Sequence, residues 1–191
     1  MRLIVRLAVT LFVPSIMQSQ GSAVRMEFDT RIRMRDGVEL SADVYRPDRD
    51  GRFPVILVRT PYDNGTAPNL AAGKRWASRG FVYVVQDVRG RGDSDGSFYP
   101  LLTEGRDGYD TIAWLANQPW SNGKVGMLGG SYLGWVQMYA AVEKPPALAA
   151  LVPTVTPDRS GQELAHAVWR DLPRHHLRLA NISGHTSQDP L

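Results

Sequence analysis

Two continuous apolar runs constrain this chain more than any other feature: "PVILVRT" from Pro54 to Thr60, and "FVYVVQD" from Phe81 to Asp87. Neither alternates apolar with polar residues, as a strand with one wet face would. Runs of this length and kind suit strands covered on both faces, as in a parallel sheet with helices above and below. The segments between and after them fit that frame. Residues 69–79 have helical composition and stop at Gly80, a suitable residue for a helix C-terminus. Residues 88–102 are glycine-rich, charged and loop-like. Residues 104–118 read as a helix with Tyr109, Ile112 and Leu115 or Ala116 on one face, ending before Pro119. Lys124 to Gly129 reads as a strand, Tyr132 to Glu143 as a helix stopped by Pro145-Pro146, and Ala147 to Pro153 as a further strand. Upstream, Met26, Phe28, Thr30, Ile32 and Met34 alternate with polar residues, Asp36-Gly37 follows, and Val38, Leu40, Ala42 and Val44 alternate again, a β-hairpin signature. The expected fold class is α/β: a mostly parallel sheet with an N-terminal antiparallel hairpin. In such sheets chemistry collects at the carboxyl ends of the strands.

The 191 residues are 43% hydrophobic, enough to bury a core in one domain. The net charge of +3 owes two of its positive charges to Arg2 and Arg6. The first 23 residues hold no acid, and beyond them 20 basic residues face 19 acidic ones. No basic stripe with interleaved aromatics is present, so nucleic acid is not an expected partner. Cysteine is absent, which excludes disulfides, thiolate metal sites and a cysteine nucleophile. Met1 to Arg6 is short and basic, "LAVTLFVPSIM" is apolar, and Gly21, Ser22 and Ala23 are small. This pattern is that of a secretory signal peptide cleaved near Ala23, with an apolar run too short to span a bilayer. The expected organisation is a signal peptide over residues 1–23, the sheet domain over 24–156, and a different, polar segment over 157–191. The expected location is secreted or periplasmic, with no membrane span after cleavage.

One short stretch carries the chemistry. "KVGMLGGSYLGW" runs from strand pattern into helix pattern through Gly129, Gly130 and Ser131, with Gly134 just beyond. A chain that turns this abruptly needs residues without bulk at the corner. The turn pushes the serine hydroxyl out at the sheet edge, beside the first backbone N–H groups of the following helix. Those groups have no intrahelical acceptor and can stabilise an oxyanion. This is the arrangement of a nucleophile elbow. The strict G-x-S-x-G spacing is not met, because Leu133 stands where the second glycine belongs and Gly134 comes one later. A serine N-cap at a glycine-rich turn is the plainer reading of the same residues. Dinucleotide and P-loop fingerprints are absent.

These residues resemble the CocE/NonD family of serine hydrolases, which includes X-Pro dipeptidyl-peptidases and cocaine-esterase-like enzymes. "GGSYLGW" is similar to the family's elbow, "MRDGVELSADVYRPD" to its opening hairpin, and "VILVRTPYDN" to the strand and loop bearing its tyrosine. "VVQDVRGRGDSDGSFYP" and "GYDTIAWLANQPWSNGKVGMLGGSYLG" resemble the blocks that follow. The resemblance covers roughly residues 26–157. It implies an α/β-hydrolase fold. No cofactor is expected, and no metal, since neither His-x₃-His nor a supporting carboxylate pattern appears. The resemblance implies Ser131 as nucleophile, with the Tyr132 backbone N–H and the Tyr62 hydroxyl as oxyanion donors. Asp87 and Arg89 are expected to pin the loop after their strand, and Trp114, Trp120 and Trp135 to pack in or near the core.

A serine nucleophile needs a base and an acid to orient it. The four histidines, His166, His175, His176 and His185, all fall in the last segment, and no strand pattern returns any of them to the sheet edge. They are expected to be solvated or packing residues. The resemblance places the acid and base on later strands, after a helical cap that "GQELAHAVWRDL" would begin. The chain is therefore expected to be the N-terminal part of a longer hydrolase, inactive by itself. Two functions follow: a secreted serine acyl hydrolase acting on a small ester, amide or peptide, or a non-catalytic protein that keeps the elbow alone. No clear acidic cluster marks the tail, so the α-amino-acid-ester branch is not favoured. Substrate and oligomeric state are not fixed by the sequence.

Overall fold

The computed structural model describes residues 23–154. The expected signal peptide, the segment from residue 157 and the four histidines lie outside the described residues, apart from Ala23. Among the described residues six strands form one sheet: β1 (Val24–Arg33), β2 (Glu39–Pro47), β3 (Phe53–Thr60), β4 (Val82–Asp87), β5 (Ser121–Gly130) and β6 (Leu148–Thr154). Three helices join them: α1 (Ala67–Ala77), α2 (Glu104–Ala116) and α3 (Tyr132–Val142). The strand order is β1-β2-β4-β3-β5-β6. β1 and β2 form the antiparallel hairpin, β2 meets β4 antiparallel, and the β4-β3-β5-β6 set is parallel. The mixed sheet is the one expected from the sequence.

The period-two geometry of a strand sorts its side chains between two cores. On β4, Val82 and Val84 join Leu40, Val44, Leu57, Ile112, Leu115, Met127 and Val136 on one side. Tyr83 and Val85 join Tyr45, Ile56, Val58 and Ala77 on the other, beneath α1. This is why β3 and β4 read as unbroken apolar runs. The sheet steps from β3 toward β2 through α1, and from β4 toward β6 through α2 and α3. Right-handed crossovers in opposite directions place helices on opposite faces. The β3–β5–β6 face on the α1 side carries Ile56, Leu128, Ala150 and Val152 around an apolar hollow of about 340 Å³.

Helix ends follow local chemistry. α1 starts two residues before the sequence pattern suggests, because the Thr66 side chain accepts the Asn69 N–H at 3.4 Å and Pro68 suits a first turn. It ends at Ala77, with Ser78 as C-cap, and the chain turns away at Gly80, whose φ is +88°. The hairpin shows the main departure from expectation. Met26 through Met34 read as one alternating face, but a β-bulge between Glu27 and Thr30 inserts a residue, with Asp29 at φ +52°. The bulge switches faces: Ile32 and Met34 enter the core, whereas Phe28 meets the Tyr45 ring edge-on at 6.1 Å on the other side and stays largely exposed. A single inserted residue has no period-two signature, so the alternation concealed it.

Candidate active site

The carboxyl ends of β3, β4 and β5 bring the candidate residues together. At the β5–α3 corner Ser131 has φ +55° and ψ −124°, a conformation that costs an L-residue on the order of 1–3 kcal/mol. The corner is held tightly enough to sustain that strain. The Ser131 N–H donates to the Thr154 carbonyl of β6 at 3.0 Å, and the Ser131 carbonyl accepts from Gly134 and Trp135. Gln137, fully buried one turn along α3, clamps the corner from beneath. Its Nε2 donates to the carbonyls of Gly129 (3.0 Å) and Leu133 (2.8 Å), and its Oε1 accepts the Val152 N–H at 3.0 Å.

The glycines are required by space. A Cβ on Gly129, at φ +144°, would lie 2.5 Å from the Leu133 Cβ, and one on Gly130 would lie 2.8 Å from the Thr154 hydroxyl. Leu133, the departure from the strict elbow spacing, is therefore accommodated by the absence of any side chain at Gly129. Ser131 is exposed at the tip. The N–H groups of Tyr132 and Leu133 occupy the first positions of α3, ahead of its first intrahelical bond, where a helix presents unsatisfied donors.

Tyr62 follows β3 and is 62% exposed. Its ring meets the Tyr132 ring edge-on, with centroids 6.5 Å apart, so the loop after β3 reaches the elbow. That loop is braced. The Tyr62 N–H donates to the Thr60 hydroxyl at 3.0 Å, and Arg91 Nε donates to the Pro61 carbonyl at 2.9 Å. Asp87, 1% exposed at the end of β4, accepts the Asp93 N–H at 3.3 Å. Burial pushes the Asp87 carboxyl up to about 6. Arg89 grips Asp107 with two bonds, of 2.7 and 3.0 Å, and reaches Asp36 in the hairpin turn at 2.8 Å. Those partners hold the guanidinium well above its usual range. Asp87 and Arg89 thus act as loop pins, as their sequence positions suggest. Trp114 and Trp120 pack against the core and each other, whereas Trp135, expected there too, is half-buried with its ring tilted against Tyr139 at 6.3 Å and joins neither core cluster.

A second layer was not anticipated. The Tyr132 hydroxyl donates to Glu104 Oε1 at 2.8 Å and accepts the Leu101 N–H at 3.2 Å. Burial, then the neighbouring Glu104 carboxylate, raises the Tyr132 phenol well above its ordinary value, so it stays protonated as a donor. Glu104 in turn forms a buried ion pair with Arg59 at 2.7 Å, their side chains 4% and 0% exposed. Arg59 also donates to the Glu104 carbonyl (2.9 Å) and to Gln86 Oε1 (2.8 Å). The signal was present in the sequence, as an arginine inside an otherwise apolar run, because a cation there must find a buried partner.

No group of three or more His, Cys, Asp or Glu side chains able to hold a metal ion occurs among the described residues. The arrangement offers a strained, exposed serine, two helix-terminal N–H donors and a phenol nearby, a set suited to attack on a carbonyl and stabilisation of the resulting oxyanion.

Comparison with known proteins gives a consistent picture. A family model described as X-Pro dipeptidyl-peptidase (S15 family) matches residues 36–170. A cocaine esterase from Rhodococcus sp. (strain MB1 Bresler) is 39% identical over 142 residues, covering 72% of this chain and 24% of the relative. Among solved structures, a CocE/NonD family hydrolase from Staphylococcus aureus superposes with TM-score 0.60 at 33% identity, over 66% of this chain and 26% of the other. An α-amino acid ester hydrolase superposes with TM-score 0.61 at 31% identity, over 76% and 29%. The chain spans about a quarter of the length of these relatives.

Proposed function

Because this chain belongs to the X-Pro dipeptidyl-peptidase (S15) family of CocE/NonD hydrolases, we propose that it supplies the nucleophile and oxyanion site of an exported serine acyl hydrolase. The observation that carries this reading is the position of Ser131: φ +55° at a glycine-forced corner, exposed, beside the first N–H groups of α3 and within reach of the Tyr62 loop. Ser131 Oγ attacks the carbonyl carbon of an ester or amide, and its proton passes to a base. The carbonyl π pair moves onto oxygen, where the Tyr132 N–H and the Tyr62 hydroxyl receive it. Collapse of the tetrahedral adduct expels the protonated alcohol or amine and leaves an acyl-serine, which water then hydrolyses. Residues 23–154 contain no histidine, so a histidine base is assigned to parts of the protein beyond them, and the family resemblance assigns its orienting acid there too. The substrate class is a small ester, amide or peptide. The basic, apolar and small-residue pattern of the first 23 residues supports export.

The test is hydrolysis of p-nitrophenyl butyrate by the full-length protein beside Ser131→Ala. Loss of turnover in the variant, at least a thousandfold, is expected. Ser131 makes no side-chain capping bond to α3, so equal turnover would leave it a turn residue of a non-catalytic elbow.

A further inference from the structure

Resting on the serine-hydrolase reading, we propose that Glu104 is a positioning residue for the oxyanion site, acting by gripping the Tyr132 side chain. The residue whose backbone N–H faces the proposed oxyanion also has a side chain tethered at its hydroxyl. Tyr132 opens α3, and its hydroxyl crosses to the first residue of α2, meeting Glu104 Oε1 at 2.8 Å. Its ring is flanked by Tyr62 at 6.5 Å and Phe98 at 6.3 Å. The tether therefore holds the Tyr132 backbone donor and sets the aromatic surface that the Tyr62 ring meets edge-on.

The far end of the tether does not yield. Glu104 is bound to Arg59 at 2.7 Å on β3, and Arg59 donates to Gln86 on β4 at 2.8 Å. The Thr111 hydroxyl of α2 also donates to that Gln86 oxygen, at 3.0 Å. The carboxylate at the start of α2 is thus tied to β3 through Arg59, to β4 only through Arg59 and Gln86, and to the start of α3 through the Tyr132 hydroxyl. A buried ion pair is weak evidence for stability, and apolar residues of similar volume often serve as well. What this pair supplies that apolar packing cannot is a carboxylate oxygen aimed at the Tyr132 phenol. Oxyanion stabilisation depends on donors being held before charge develops, and small displacements of a donor are expensive in rate.

The experiment uses the full-length enzyme, with active sites counted by fluorophosphonate burst titration so that rates refer to folded, competent protein. Tyr132→Phe removes only the hydroxyl. It is expected to lower kcat per active site about tenfold with KM changed less than about twofold, the pattern of an interaction that matters in the transition state. Glu104→Gln keeps an acceptor oxygen for the phenol but leaves Arg59 without its counter-charge. It is expected to unfold at lower denaturant concentration while keeping kcat per active site within about threefold of wild type. A merely structural role would lower stability in both variants and leave kcat per active site unchanged in both. Tyr132→Phe with wild-type kcat, or with a changed KM alone, overturns the proposal whether or not Glu104→Gln folds. If the wild-type enzyme itself shows no burst and no Ser131 adduct, the hydrolase reading fails and the positioning role falls with it. A normal wild-type burst with an indifferent Tyr132→Phe refutes the positioning role alone.

Discussion

Substitution of Gly129 by alanine tests the corner that presents Ser131. Two separate penalties follow from the geometry. The backbone stands at φ +144°, where a side chain costs on the order of 1–3 kcal/mol. The new Cβ would also lie 2.5 Å from the Leu133 Cβ and 3.1 Å from its Cδ2, so α3 or β5 must shift, at a cost of about 1–3 kcal/mol for overpacking. Gly129→Ala is therefore expected to destabilise by roughly 2–6 kcal/mol, a large part of a typical total stability. The same shift displaces Ser131. Gly126→Ala provides the control on the same strand. Its nearest contact would be 3.6 Å, ordinary packing distance, and its φ is not positive. It is expected to change stability by less than about 1 kcal/mol. Denaturant unfolding followed by tryptophan fluorescence reads stability, and the rate of fluorophosphonate labelling reads the serine's placement. Alanine at 129 and at 126 behaving alike would refute the crowded, strained corner.

Three further outcomes are expected. Tyr62→Phe should lower kcat by about 10²–10³ with KM little changed, as loss of one oxyanion donor does, and a kcat within threefold of wild type would remove Tyr62 from that role. Asp87 is held near pH 6 by burial, above its unfolded value, so its contribution to stability is fully present below pH 4 and is lost as pH rises through 6. The stability difference between Asp87→Asn and wild type should shift in favour of the variant by on the order of 3 kcal/mol between pH 4 and pH 7, and parallel stability curves would show that Asp87 does not titrate there. N-terminal sequencing of exported protein should find a start near Val24, whereas an intact Met1 on cytoplasmic protein would refute the signal-peptide reading.

What could be read in advance followed from strong periodic signals. The apolar runs of β3 and β4 announced strands covered on both faces, and glycines clustered around a serine announced a strained corner. Asp36-Gly37 located the hairpin turn, where Gly37 sits at φ +89°. The bulge at Asp29 was hidden because one inserted residue in a two-residue period leaves the amino-acid pattern superficially intact. The tether from Arg59 through Glu104 to Tyr132 joins residues 45 and 28 positions apart in the chain, and such pairings have no local signature. Arg59 within an apolar run did signal that some buried partner must exist, but it did not say which. The corner clamp by Gln137 was hidden for a related reason: a glutamine in an apolar helix pattern is compatible with either a wet face or a buried polar network, and only the approach of β6 decides between them.

The central claim, that Ser131 is an activated nucleophile at the sheet edge, is most directly tested by peptide mapping of the full-length protein after reaction with a fluorophosphonate. The account predicts one phosphonylated residue, Ser131, with no adduct on Ser121 or Ser94, which are buried. No adduct at Ser131 in folded protein, or labelling unchanged in Ser131→Ala, would contradict it.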